Sequence, residues 1–420
     1  MSSFDIRAMA RAAREASRVL AGATGETKNA ALRAMAGGLL DSRERILVAN
    51  AEDVAAAESE GRPTAFVDRL TLTVPRLETM ARGLRQIAEL PDPVGEITGM
   101  WRRPNGLTVG RMRVPLGVIG IIYESRPNVT ADAAGLCLKS GNAVILRGGR
   151  EALRSNAAIG GILAVSVASV GLPEASLAVV PTPDRSVVKE MLGLHGLIDL
   201  IIPRGGEELI RAVREGSRIP VIAHDKGLCH TYVDAGADLV MAAEIAFNAK
   251  VERPGVCNAM ETLLVHAEVA PAFLRGFVAR LGRAGVETRG CPKAQALVPG
   301  IRPATEEDWD TEYLDLVLSI RVVDSFEEAL AHIARHGSGL AEAIVTANHG
   351  RAMRFLREVD AGAVFVNAST RFTDGYEFGM GAEMGISTQK LHARGPMGLT
   401  ELTCQKFIVL GEGQVRDSRA

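Results

Sequence analysis

Residues 251–266 read VERPGVCNAMETLLVH and place one cysteine, Cys257, in a Pro-Gly turn. An apolar helical pattern at 237–251 precedes the turn, and a β-type run at 260–266 follows it. Nucleophiles are often carried by loops that a rigid scaffold holds in place. Cys257 could instead be a small buried hydrophobic residue, but proline, glycine and asparagine flank it, whereas a core cysteine usually lies within an apolar run. The segment therefore predicts an α/β fold with a reactive thiol on a tight loop beside the end of a strand.

The other four cysteines give no sign of a disulfide framework. No two cysteines form a CxxC pair, and Cys137 and Cys404 fit buried core positions. This usage is typical of a reducing compartment, where a free thiolate can act. The N-terminus also lacks the apolar centre of a signal peptide. We therefore expect a cytoplasmic protein.

Composition narrows the possible classes of function. The 420 residues are too many for one core and predict two or three domains, and the 44 glycines suit an α/β protein with many βα turns. A formal net charge of −2 argues against nucleic acid as the main partner. The longest apolar run, at 157–172, is shorter than the ~20 residues that a transmembrane helix needs. We therefore expect neither a nucleic-acid partner nor a membrane span.

Hydrophobic periodicity divides the chain into four parts. Helical spacing covers 3–90, and Asn105-Gly106 between two ribbons predicts a hairpin at 100–114. Alternating strands and helices then indicate parallel sheets covered on both faces. The first series has strands at 114–123, 143–147, 177–181, 198–202 and 220–224, and the second at 260–266, 316–323, 341–346 and 363–367. A final strand at 402–410 could pair with the hairpin.

Two turns in the first series could bind a nucleotide, although the sequence contains no GxGxxG or P-loop motif. One turn is Arg147-Gly148-Gly149 and the other is Arg204-Gly205-Gly206, each after a strand and before a helix. Glycines let main-chain N–H groups approach a phosphate at a helix N-terminus, and arginine adds charge. Either turn alone could be an ordinary βα connection. Two such turns in consecutive strand–helix repeats of one sheet favour a nucleotide-binding site. The arginines favour NADPH over NADH as that nucleotide.

Two further polar groups are less specific. His332 and His336 lie four residues apart on a predicted helix, as a metal pair could. No third ligand accompanies them, so we predict no metal and a solvated helix face. His224-Asp225-Lys226 fits either acid/base chemistry or a polar turn, and both alternatives stay open.

Four segments resemble the aldehyde dehydrogenase superfamily. They are VPLGVIGIIYESRPNV at 114–129, KSGNAVILRGG at 139–149, RPGVCNA at 253–259 and FGMGAEMGIST at 378–388. The resemblance covers nearly the whole chain and implies two parallel-sheet α/β domains with a β-hairpin oligomerisation arm. It implies an NADP(H)-binding domain at 1–98 and 115–227, a catalytic domain at 228–395, and an arm at 99–114 and 396–420.

The resemblance also implies roles for particular residues. Cys257 matches the family nucleophile, Glu312 matches the glutamate that holds the nicotinamide ribose, and Arg147 stands where the family has a lysine that holds the adenosine ribose. Arg204, Gly205 and Gly206 stand where a Gly-Ser turn meets the cofactor. Asn128 is a candidate for the oxyanion-hole asparagine, alongside the main-chain N–H of Cys257. The end of a helix or Lys250 could activate the thiol.

Within the superfamily, the resemblance is strongest to the enzymes that reduce an acyl phosphate. It implies NADPH-dependent reduction of L-glutamyl 5-phosphate to L-glutamate 5-semialdehyde in proline biosynthesis, through a Cys257 thioester. Hydrolytic relatives carry a water-activating glutamate where this chain has residues 224–228 without one, and an acyl-phosphate reductase needs no such water. Candidate substrate anchors are Arg126, Asn367, Ser369 and Arg371, although Arg371 could equally be a surface charge.

Other readings of the same resemblance remain. The chain could use another acyl donor, as a hydrolytic or CoA-dependent dehydrogenase does, or it could be an inactive scaffold. A zinc-dependent alcohol dehydrogenase is the least favoured alternative, because this sequence lacks the clusters of metal ligands that such an enzyme needs. The resemblance also implies a homo-oligomer. Because an acyl phosphate is labile, transient contact with glutamate 5-kinase is plausible.

Overall fold

The chain folds into two units, and the computed structural model describes residues 4–223 and 226–416. The first unit contains the described residues up to Ala223, the short segment Met380–Gly385 and the chain from Met397 onward. The second contains residues 226–379 and Ile386–Pro396. The boundaries at 98, 114, 227 and 395 stay predictions. Residues 224 and 225, part of the His-Asp-Lys segment, lie outside the described residues.

The described helices and strands follow in chain order. The helices are α1 Ile6–Ala21, α2 Gly25–Asp41, α3 Arg43–Ser59, α4 Thr64–Leu70, α5 Val74–Glu89, α6 Asn128–Lys139, α7 Leu153–Ala168, α8 Arg185–Leu192, α9 Glu207–Gly216, α10 Leu239–Val251, α11 Ala270–Arg283, α12 Pro292–Leu297, α13 Phe326–His336 and α14 His349–Glu358. The strands are β1 Ile97–Arg102, β2 Thr108–Pro115, β3 Val118–Tyr123, β4 Ala143–Arg147, β5 Leu177–Val179, β6 Leu200–Arg204, β7 Cys229–Val233, β8 Met260–His266, β9 Glu287–Gly290, β10 Arg302–Pro303, β11 Val317–Val323, β12 Ala341–Val345, β13 Ala363–Val366, β14 Ile386–Ser387, β15 Gly395–Pro396 and β16 Thr403–Leu410.

The first unit begins with the helices that the sequence predicts and continues into a parallel sheet. Asp5 caps α1 by accepting the N–H of Ala8, and Thr24 and Thr73 cap α2 and α5. The sheet has the order β5-β4-β3-β6, with every residue of β3 and β4 buried. Strand order reverses at β3, and ligands of open α/β sheets bind beyond the carboxyl ends of the strands at such a point.

The predicted hairpin and its pairing with the final strand are confirmed. β1 and β2 form the hairpin around Asn105-Gly106, and β16 pairs antiparallel with β2 over its full length. Together they make a three-stranded sheet of order β1-β2-β16. Cys404 lies on β16 with its side chain exposed. The prediction of a core position for Cys404 is therefore wrong, because this thin sheet has no hydrophobic layer over that face of the described chain.

The second unit is built on a seven-stranded parallel sheet of order β10-β9-β11-β8-β7-β12-β13. β8 lies at its centre and is buried along its whole length. The neighbouring β7 was not predicted from the sequence because Cys-His-Thr-Tyr-Val lacks a continuous apolar run. It is nevertheless fully buried, since Glu342 accepts hydrogen bonds from both the main-chain N–H and the ring of His230.

The prediction that His332 and His336 form a solvated face is also wrong. Both side chains are buried, and the ring of His332 packs against those of His230, Trp309 and His336. Burial lowers the pKa of His332 to about 2, with further lowering from His230 and His336. No described group of three or more histidine, cysteine, aspartate or glutamate side chains could hold a metal ion. Among the described helices, none is long and apolar enough to cross a bilayer.

Candidate active site

Cys257 lies on a turn of the second unit between α10, which ends at Val251, and the central strand β8, which begins at Met260. The turn is closed by a hydrogen bond of 3.0 Å from the N–H of Ala259 to the carbonyl of Val256. The Cys257 side chain is partly buried. The thiol thus lies at the amino end of a rigid central strand.

Gly227 packs directly against Cys257, the predicted nucleophile. A side chain at this position would overlap the main chain of Cys257, and its Cβ would lie 2.5 Å from the Cβ of Cys257. On the same side, the thiol of Cys229 lies 3.4 Å from the Cys257 carbonyl oxygen. Only a glycine therefore permits this approach between the start of β7 and the cysteine turn.

Asn258, the residue after Cys257, is held by the segment 370–373. Its side-chain nitrogen donates to the main-chain carbonyl of Thr373 at 2.9 Å. Its main-chain carbonyl accepts from the hydroxyl of Thr370 at 2.8 Å. Its side-chain oxygen accepts from the guanidinium of Arg371. Asn258 and Thr370 are both buried. These bonds fix the main chain on one side of Cys257.

Arg371 also holds the other side of the turn. Its Nε lies 2.6 Å from the carboxylate of Glu252, the C-cap residue that follows α10. The Arg371 side chain is 16% exposed and that of Glu252 is 50% exposed. Arg371 was a candidate substrate anchor, and its guanidinium contacts two residues of the cysteine turn.

A buried ion pair lies beneath the same turn. Lys250 on α10 and Glu261 on β8 are fully buried with 2.6 Å between Nζ and the carboxylate. Burial lowers the pKa of Lys250 and raises that of Glu261 to about 7, and their mutual attraction opposes both shifts. Glu261 also accepts the N–H of Leu314 at 3.2 Å. The loop that carries Glu312 is thereby attached to the elements that flank Cys257.

These contacts bear on thiol activation. Lys250 is engaged with Glu261, so its charge is largely balanced there. The helix next to Cys257 presents its carboxyl end, where the dipole disfavours an anion. Neither activator suggested by the sequence therefore favours the thiolate in this arrangement.

The two predicted nucleotide turns lie in the first unit at the carboxyl ends of β4 and β6. Arg147 is buried and donates to the carbonyls of Gly148 at 2.9 Å and Pro183 at 3.0 Å. A Cβ at Gly148 would lie 2.0 Å from the side-chain nitrogen of Asn156, and one at Gly149 would lie 2.5 Å from the carboxyl carbon of Glu151. A larger residue at either position would require the neighbouring side chain to move.

The second turn, Arg204-Gly205-Gly206, is closely packed at Gly205 and has open space at Gly206. A Cβ at Gly205 would lie 2.7 Å from Leu209, whereas one at Gly206 would have no atom within 4 Å. The N–H of Gly206, at the start of α9, donates to the carboxylate of Glu124 at 2.9 Å. A carboxylate already rests on this helix N-terminus, so the position accepts an anion.

Four further predicted side chains lie near these turns or in the second unit. Arg126 and Asn128 are exposed at the start of α6, and Asn128 donates to Asp132 at 3.2 Å. In the second unit, Asn367 exchanges two hydrogen bonds with the main chain of Thr346, and Ser369 accepts the N–H of Arg371. Asn367 and Ser369 thus support the local main chain.

Sequence reasoning missed several residues that shape the site. Gly227, Glu252 and Asn258 position the cysteine turn, and Glu261 neutralises Lys250. The signal for Asn258 was its place beside Cys257. The others are separated from their partners in the sequence, so only the fold brings the groups together.

The comparisons with known proteins agree with this geometry. A model of the aldehyde dehydrogenase family matches residues 1–296 and 306–407. The gamma-glutamyl phosphate reductase of Moorella thermoacetica is 57% identical over 414 residues, which cover 99% of each chain. The crystal structure of gamma-glutamyl phosphate reductase from Thermotoga maritima superposes with a TM-score of 0.97 at 48% identity, covering 99% of this chain and 100% of that one. An acetylating aldehyde dehydrogenase from Geobacillus thermoglucosidasius shares the fold, with a TM-score of 0.69 at 17% identity over 98% of both chains. The chain therefore belongs to the aldehyde dehydrogenase family and, within it, to the gamma-glutamyl phosphate reductases.

Proposed function

We propose that this enzyme reduces L-glutamyl 5-phosphate to L-glutamate 5-semialdehyde and phosphate with NADPH, the second step of proline biosynthesis. The observation that carries the proposal is Cys257 on its fixed turn, in a chain 57% identical to a gamma-glutamyl phosphate reductase over nearly its full length. Membership of a dehydrogenase family supports a nicotinamide cofactor. The cytoplasm, where such a thiol stays reduced, is the compartment that we propose.

The thiolate of Cys257 attacks the acyl carbon, a C–S bond forms, and the C–O bond to phosphate breaks. The main-chain N–H of Cys257 stabilises the developing oxyanion, a role worth about 3 kcal/mol for one donor; Asn128 is the side-chain candidate for the same role. Collapse of the thiohemiacetal that follows reduction breaks the C–S bond, releases the aldehyde and restores the thiolate.

Residues of the first unit fit the phosphates of a dinucleotide. Gly206 leaves open space at a helix N-terminus that already holds a carboxylate, and Arg204 and Gly205 complete that turn. The Nε–H of buried Arg147, beside Gly148 and Gly149, has no hydrogen-bond acceptor and could donate to the cofactor. Glu312, on the loop attached to Glu261, would hold the nicotinamide ribose. When bound, NADPH supplies the hydride that reduces the thioester; the charge on the arginines supports NADPH over NADH.

Phosphate dependence tests the reaction in reverse. We expect purified protein with glutamate 5-semialdehyde to reduce NADP+ only when inorganic phosphate is present, and Cys257→Ser to abolish this rate. Cys257→Ser should still be stabilised against heat by NADP+, because the cofactor contacts do not use the thiol. Rate without phosphate would indicate a hydrolytic dehydrogenase, rate with CoA an acylating one, and no rate from a folded protein an inactive scaffold.

The substrate anchors and partners are part of the same proposal. Arg126, Asn367 and Ser369 are the candidates for the α-carboxylate, α-amine and phosphate of the substrate. The exposed apolar side chains of the arm, including Phe407 and Val409, support a homo-oligomer. Transient contact with glutamate 5-kinase would protect the labile acyl phosphate.

A further inference from the structure

The side chain of Arg371 lies against the cysteine turn of the second unit. It contacts Glu252 at the beginning of the turn and Asn258 immediately after the nucleophile. Both contacts join segments more than one hundred residues apart in sequence. A guanidinium suits this task, because its donors are fixed in a plane and can serve two acceptors at once.

Asn258 is bound on every polar group of its side chain. Its amide nitrogen donates to the carbonyl of Thr373 at 2.9 Å and lies 3.4 Å from that of Arg371, while its amide oxygen accepts from the Arg371 guanidinium. The hydroxyl of Thr370 reaches the Asn258 carbonyl at 2.8 Å. The buried Thr370 and Thr373 anchor the segment that carries Arg371. The residue next to the thiol is therefore held by a short, well-packed segment.

We propose that Arg371 is a positioning residue for the Cys257 turn and acts through Glu252 and Asn258, rather than by binding substrate. This proposal rests on the proposed function only in taking Cys257 as the nucleophile. Arg371 fixes both ends of the turn, so the thiol is held in one position for attack. Its charge is balanced by Glu252, so the pair adds little net field at the thiol.

Arg371 and Glu252 can be replaced one at a time, and the two substitutions change the net charge beside the cysteine turn in opposite directions. Arg371→Gln leaves the Glu252 carboxylate uncompensated close to the turn, which disfavours the thiolate. Glu252→Gln leaves the Arg371 cation uncompensated, which favours it. A general loss of packing would move both variants in the same direction.

The experiment measures alkylation of Cys257 by iodoacetamide against pH, without substrate, by mass spectrometry of the peptide that contains it. We expect the pH midpoint of alkylation to rise in Arg371→Gln and to fall in Glu252→Gln. We also expect kcat to drop at least tenfold in Arg371→Gln while KM for the acyl substrate changes less than threefold. Arg371→Lys should recover the midpoint but only part of kcat, because an ammonium cannot serve both acceptors in a plane.

Arg354→Gln is the matched control. Arg354 pairs with Glu327 and Glu358 on the surface of the same unit, away from the cysteine turn in sequence and contacts. It should leave both the alkylation midpoint and kcat unchanged.

A rise in KM of tenfold or more in Arg371→Gln, with an unchanged alkylation profile, would identify Arg371 as a substrate anchor and overturn the proposal. Unchanged kinetics would overturn it too. If Arg371→Gln does not fold, the milder Glu252→Gln decides: an unchanged midpoint and kcat would contradict the role. A failure of Cys257 as the nucleophile is distinguishable, because Cys257→Ser would then retain turnover.

Discussion

At the scale of single residues, the site depends on one contact that a side chain would prevent. Gly227 lies so close to Cys257 that an added Cβ must displace the main chain of the turn. We predict that Gly227→Ala lowers kcat at least tenfold and destabilises the protein by about 1–3 kcal/mol, as overpacking does. Steady-state kinetics and urea unfolding would measure both effects.

A second glycine provides the control for that substitution. Gly276 is exposed within α11 and has no atom within 4 Å of an added Cβ. Gly276→Ala should leave kcat unchanged and stabilise the protein by about 0.5–1 kcal/mol, because alanine loses less conformational freedom in a helix. Equal kinetics for the two variants would show that close approach at Gly227 has no bearing on catalysis.

A buried histidine makes stability depend on pH. The pKa of His332 is about 2 in the folded chain, against 6.5 ordinarily. The folded state therefore binds fewer protons, so this stability is fully present above pH 6.5 and decreases as the pH falls below it. We predict that His332→Leu reduces the loss of stability between pH 7 and pH 5 by about 2 kcal/mol. Urea unfolding at both pH values measures the change, and His349→Gln, on an exposed helix end, should not alter it.

At the scale of secondary-structure elements, the arm presents apolar side chains on one face. The register places Trp101 opposite Val109 and Val109 opposite Val409, and Phe407 lies two residues from Val409 on the same face. We predict that Phe407→Glu with Val409→Lys lowers the mass measured by light scattering towards the 44.5 kDa of one chain. Lys406→Glu, on the opposite face of the strand, is the control. An unchanged mass in the double variant would exclude this face as the contact.

Elements with a regular pattern could be predicted from the sequence. β4, β8 and the arm hairpin were placed nearly to the residue, because continuous apolar runs and Asn-Gly are local signals. β7 could not be predicted, because its polar residues are compensated by Glu342, more than one hundred residues away. The sequence also identifies Cys257 and the two glycine turns as candidate positions, and their roles stay predictions. The partners that hold them could not be predicted, since such contacts depend on packing.

At the scale of the whole molecule, the two units differ in how the chain builds them. The second takes its residues from one stretch, 226–396, interrupted only by Met380–Gly385, whereas the first needs both ends of the described chain. We predict that a fragment covering 224–396 folds cooperatively, with the circular dichroism of an α/β sheet. A fragment covering 1–223 should be less stable because it lacks β16, which leaves the edge of β2 unpaired.

Thermal unfolding of the two fragments, followed by circular dichroism, would measure this difference. A non-cooperative transition in the 224–396 fragment would contradict the prediction, because its seven-stranded sheet and the core around β8 lie entirely within those residues.

The hydrogen bonds between His230 and Glu342 also constrain how this sequence can diverge. Replacing either residue alone leaves the other buried without its partner, which costs more than losing both together. Single substitutions at these two positions should therefore be selected against, while paired apolar replacements can persist. Among diverging relatives, His230 and Glu342 are expected to covary, and recombination between lineages that carry different pairs should yield unfit offspring.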